Sequence, residues 1–114
     1  MFTGLTVKGK EYRLRLDTKN LIALEKAINK NPLDIIFSIE RGIVPKVSDV
    51  LMILHYSLQA CQHGMSFDAT VELYDSLIAD GKNIYDMIAV LTDVFTDCGL
   101  IRKHDNMEIA EKNV

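Results

Sequence analysis

From Asp17 to Gly99 the chain repeats one local signal: a short polar side chain, then apolar residues three and four apart, then a stop. Asp17 or Thr18 opens the first stretch, Asn31 the second, Ser48 the third, Ser66 the fourth and Asn83 the fifth. Each of these residues has a side-chain oxygen that can accept from an unpaired amide of a first helical turn. Asn31-Pro32 closes the first stretch and starts the next, because Pro32 suits a first helical position. Gly42, Gly64, Gly81 and Gly99 close the other four. A chain divided in this way is committed to short helices packed face to face.

The apolar stripes say how those helices pack. The first has Leu21, Leu24 and Ile28, with Ala27 beside them. The second, about residues 32–41, is short and carries Leu33, Ile36 and Phe37. The third, about 49–63, has Leu51, Leu54 and Leu58 widened by Val50, Ile53, Ser57 and Cys61. Apolar around much of its circumference, it is expected at the centre. In the fourth, about 67–79, Phe67, Val71, Tyr74 and Ile78 share one face and Asp68, Glu72 and Asp75 the other. In the fifth, Ile84, Ile88, Leu91 and Phe95 point inward, and Asp86, Asp93 and Asp97 form a second acidic stripe.

Ahead of the helices, Leu5-Thr6-Val7 and the alternating run Tyr12-Arg13-Leu14-Arg15-Leu16 read as two strands, with Gly9 in the turn. Arg13 and Arg15 then share the face opposite Tyr12, Leu14 and Leu16. The expected fold is α+β, mostly α: an N-terminal β-hairpin followed by about five helices around a central one. Residues 1–101 form one globular domain, with the hairpin in 1–16 and the helical body in 18–99. Residues 102–114 are polar, poor in aromatics and expected to be a flexible tail.

The net charge of −3 hides an asymmetry. Through Lys30 there are seven basic residues against three acidic; from Asn31 to Ile101 there are three basic against ten acidic. Candidate protein-binding residues are therefore the acidic stripes Asp68, Glu72, Asp75 and Asp86, Asp93, Asp97, and the basic Arg13, Arg15, Lys19 and Lys26. Opposite charges of this kind can attract different copies of the chain into a homo-oligomer, or serve only as solvated faces that keep the chain soluble; both readings are open.

Chemistry finds little purchase. No apolar run reaches the roughly 18 residues of a membrane span, and the start Met1-Phe2-Thr3-Gly4-Leu5 lacks the regions of a signal peptide. A cytoplasmic protein without a membrane partner is expected, with Cys61 and Cys98 reduced and acting as small buried hydrophobes on helix faces. His55, Cys61, His63 and His104 are the possible metal ligands, but Cys61 and His63 diverge and two turns separate His55 from His63. No EF-hand loop, phosphate-binding loop or dinucleotide fingerprint occurs. No catalytic residue, metal ligand or cofactor is nominated. The helices flanking Gly64 could be drawn as a helix-turn-helix, yet the second carries acids and no Lys or Arg, against the needs of phosphate contact.

The order of segments resembles a family. Tyr12-Arg13-Leu14-Arg15-Leu16 runs into Leu21-Ile22-Ala23-Leu24-Glu25-Lys26, then Asn31-Pro32-Leu33-Asp34-Ile35-Ile36. Later, Ile53-Leu54-His55-Tyr56-Ser57-Leu58-Gln59 leads to His63-Gly64, and Leu73-Tyr74-Asp75 to Asp80-Gly81. From Lys10 to Ile101 this resembles the tail assembly chaperones of long-tailed bacteriophages and prophages. The resemblance implies a non-catalytic protein of the bacterial host cytoplasm that binds the tape measure protein and helps recruit tail tube protein around it. Many genes of that family also make a second, longer product by a −1 ribosomal frameshift near the end of the short one. Glu111-Lys112-Asn113 can be encoded GAA AAA AAC, which contains a slippery heptamer. The competing reading is a phage-encoded regulator that binds nucleic acid through the basic hairpin.

Overall fold

A computed structural model describes residues 2–102. The elements are β1 (Thr3–Val7), β2 (Lys10–Leu14), α1 (Thr18–Ile28), α2 (Pro32–Phe37), α3 (Val47–Gln59), α4 (Phe67–Ala79) and α5 (Ile84–Asp97). A 3-10 turn, Ser38–Arg41, continues α2. The class is α+β, mostly α, as the sequence indicates. The expected tail from residue 103 onward lies outside the described residues.

β1 and β2 pair antiparallel, with Leu5 opposite Tyr12 and Val7 opposite Lys10. Lys8 and Gly9 both have positive φ, at 51° and 77°, which makes a two-residue turn whose twist matches the strands. β2 ends at Leu14 rather than Leu16. There the chain leaves β1: the Arg15 N–H donates to the Ser57 carbonyl of α3 at 2.8 Å. Leu16 stays buried beyond the strand, so the alternation outlasts the pairing.

The helix starts follow the capping residues with one exception. Asp17, Asn31, Ser66 and Asn83 each accept an amide from the first turn of their helix. Ser48 does not cap α3. The Lys46 carbonyl already accepts from Asp49 and Val50, so Ser48 lies inside the first turn. Asp49 supplies negative charge there and pairs with Lys30 Nζ at 3.3 Å. At the other end α3 stops at Gln59, short of His63, and the Gln59 amide bridges the turn to the Met65 carbonyl at 2.8 Å.

α3 is the central element: it packs against α1, α2, α4, α5 and β2. Val50, Ile53, Leu54, Ser57 and Leu58 have no exposed surface. Leu14, Leu24, Leu91 and Phe95 close round them. Full burial of the aliphatic and aromatic side chains among them stabilises by about 1.5–3 kcal/mol each.

Three expectations about burial need correction. In α4 the inward face is Thr70, Leu73 and Leu77; Phe67 and Ile78 are 37% and 43% exposed. The helix is turned by one residue, about 100°, because Thr70 tolerates burial. Its hydroxyl back-bonds to the Ser66 carbonyl at 3.2 Å and lies 3.3 Å from His55 Nδ1. Ala27 is exposed, whereas Ile35, Met87 and Val94 join the core. Cys61 and Cys98 are half-buried free thiols just beyond the ends of α3 and α5, not on helix faces.

Candidate functional site

Asp68, Glu72 and Asp75 are exposed together on the outer face of α4, as their spacing requires. The apolar row left out of the core lies about 80° round the helix from them. It consists of exposed Phe67 and Ile78 with half-buried Val71. α4 therefore shows solvent an apolar strip bordered by an acidic one. Such a surface accommodates a helix with its own apolar stripe and flanking basic residues.

The α5 stripe divides. Asp86 completes a capping box: its carboxylate accepts from the Asn83 amide at 2.9 Å while Asn83 accepts from the Asp86 amide. Asp97 accepts from the Thr3 hydroxyl at 2.7 Å. Asp93 is exposed between them. Two of the three acids thus hold the fold together, and the stripe does not act as one open surface.

The basic residues occupy three settings. Arg13 sits on the outer hairpin face, its guanidinium 4.7 Å from the Phe2 ring centroid and its Nε 4.0 Å from Glu11. Arg15 lines a shallow cleft of about 270 Å³ with Asp17, Thr18, Val94 and Asp97. That cleft brings a basic and an acidic candidate together within one copy. Lys19 and Lys26 are exposed on one face of α1.

Two surfaces went unread in the sequence. Ile43, Val44 and Val47, at 54%, 53% and 47% exposure, form an aliphatic patch on the connector before and into α3. With Lys30, Arg41 and Lys46 nearby, residues 43–45 line a groove of about 690 Å³. A run of aliphatics directly after the helix-stopping Gly42 was the available signal. The second is a cavity of about 330 Å³ between β1 and the α4–α5 corner.

His55 is held between α3 and α4, its ring edge-on to Tyr56 and Phe67. Burial pushes its pKa down, favouring the neutral imidazole. The Cys98 thiol is pushed up, chiefly by burial, and lies 3.4 Å from the Phe95 carbonyl. A thiol so placed is a poor nucleophile. Among the described residues, no group of three or more His, Cys, Asp or Glu could hold a metal ion, and no helix is long and apolar enough to cross a membrane. His104 lies outside them.

What the fold and these surfaces define is a small helical domain with a hairpin, exposing apolar strips beside rows of charge. No protein-family model, curated protein or solved structure matches the chain.

Proposed function

We propose that this chain is a tail assembly chaperone of a long-tailed phage or prophage. It is non-catalytic, works in the host cytoplasm, binds the tape measure protein and helps recruit tail tube subunits. The segment order from Lys10 to Ile101 supports the family. The observation that carries the binding role is the outer surface of α4, where Phe67 and Ile78 lie exposed beside Asp68, Glu72 and Asp75. A long helical client with apolar and basic positions fits that surface.

The test is co-expression with the very long helical product of a neighbouring gene. Co-purification is expected, and reversing the row with Asp68→Lys, Glu72→Lys and Asp75→Lys is expected to weaken it by about tenfold or more. No capture of that product by the folded chain sinks the reading. Copies associate head-to-tail through the acidic row and the exposed Arg13, Lys19 and Lys26. Sedimentation across salt concentrations checks this, and a monomer under every condition removes it.

One observation favours the nucleic-acid reading. Arg13 and Lys10 lie over the rings of Phe2 and Tyr12 on the basic hairpin. A gel-shift assay with duplex and single-stranded probes separates the two: tight, salt-sensitive binding would overturn the chaperone as a complete account.

A further inference from the structure

The cavity between β1 and the α4–α5 corner is lined by Gly4, Leu5 and Thr6 and by no residue of β2, so it lies along the free edge of the hairpin. The register says which backbone groups face it. Across a two-residue turn the flanking pair, Val7 and Lys10, is hydrogen-bonded. Bonded and non-bonded pairs then alternate, so Leu5–Tyr12 is bonded while Thr6–Glu11 and Gly4–Arg13 are not. The N–H and C=O groups of Gly4 and Thr6 therefore point away from β2, toward the groove. Among the described residues no hydrogen-bond partner takes them.

The opposite wall is apolar, with Leu77, Ile78, Met87 and Val90. Two charges flank it. Asp86 accepts one bond from the Asn83 amide and keeps its negative charge, so Lys82 is the cation that a ligand carboxylate can meet. Gly4 adds an independent sign. Its φ is not positive, and a Cβ there would meet only the Glu11 carboxyl carbon, at 4.0 Å. The fold itself does not need glycine at this strand position, and a glycine inside a strand often marks close approach by another backbone.

We propose that this edge is a docking site for an extended peptide. The peptide adds as a third strand on β1, pairs with the backbone of Gly4 and Thr6, sets alternate apolar side chains against Ile78, Met87 and Val90, and places a carboxylate at Lys82. Main-chain bonds hold the strand, and the apolar wall with Lys82 selects its sequence. This partner is extended, unlike the helical client of α4, and the two surfaces share Ile78.

The test uses the full chain and synthetic decapeptides of alternating valine and threonine, each carrying one glutamate or one lysine at either end. Amide NMR is expected to show shifts at Gly4 and Thr6 on titration, with hydrogen exchange at both slowed by about tenfold or more. The best glutamate peptide is expected to bind about fivefold tighter than its lysine counterpart at low salt, with the preference reversed in Lys82→Glu. Thr6→Pro removes an outward amide and is expected to abolish binding. Glu11→Pro removes the matching amide on the opposite edge and retains it. Ile78→Arg obstructs the groove without touching the strand and is expected to abolish binding where Thr6→Pro unfolds the hairpin. Absence of binding by every peptide, or binding that leaves the Gly4 and Thr6 amides unchanged, overturns the proposal. Protection of those amides that rises with protein concentration alone also overturns it, because the occupant is then β1 of a second copy.

Discussion

The Thr3 hydroxyl donates to the Asp97 carboxylate at 2.7 Å, tying β1 to the last turn of α5 across 94 positions of sequence. The acceptor is charged and partly buried, so the bond is stronger than a typical neutral one. Thr3→Val is expected to destabilise the chain by about 1–2 kcal/mol in urea unfolding. Asp97→Ala should cost a similar amount, and the double variant less than the two together. Full additivity in that cycle would show that the two side chains do not act as a pair.

The orientation of α4 makes a second prediction. Leu73 and Leu77 are buried, whereas Ile78 is 43% exposed. Leu77→Ala is expected to cost about 2–4 kcal/mol, and Ile78→Ser less than about 1 kcal/mol. A helix facing the core with Phe67, Val71, Tyr74 and Ile78 would reverse that order. Chemical denaturation of the two variants distinguishes the orientations.

This helix also shows where the sequence stops being legible. Caps are local: Asp17, Asn31, Ser66 and Asn83 act on amides two or three residues away, and the sequence points to each, the first only as Asp17 or Thr18. The central place of α3 was readable too, because its width of apolar surface needs partners on several sides. The inward face of α4 depends on Thr70 finding the Ser66 carbonyl and His55, and His55 belongs to another helix. Sequence spacing within α4 contains no trace of that contact. The acidic residues divide in the same way. Asp68, Glu72 and Asp75 share an exposed face by helical period alone, but Asp97 meets Thr3 only once the chain has folded. The β1 groove was hidden because it depends on which side of the hairpin meets the α4–α5 corner.

His55 should give stability a pH dependence of known sign. Burial lowers its pKa from 6.5, so below 6.5 the unfolded chain binds this proton more readily than the folded one. Stability is therefore fully present above about pH 6.5 and declines as pH falls toward the lowered folded value. His55→Gln removes this contribution. Unfolding free energies at pH 7.5 and pH 5.5 are expected to fall more for the original chain than for the variant. An equal fall in both would show that His55 is not the group responsible.

The turn of the hairpin carries the last prediction. Lys8 has a φ of 51°, a left-handed conformation that a lysine Cβ disfavours, and Gly9 follows at 77°. Both central residues of this turn type need positive φ, for which asparagine followed by glycine is the preferred pair. Lys8→Asn is therefore expected to stabilise the chain by about 0.5–1 kcal/mol, because asparagine adopts that conformation more readily. Gly9→Ala should act the other way, by about 1–2 kcal/mol, through backbone strain alone, since a Cβ there meets nothing within 4 Å. Thermal unfolding of both variants measures the difference. If Gly9→Ala were neutral, the strands would be joined by a longer loop that does not hold Gly9 at positive φ. The Val7–Lys10 pairing, and the outward placement of the Gly4 and Thr6 amides that follows from it, would fail with it.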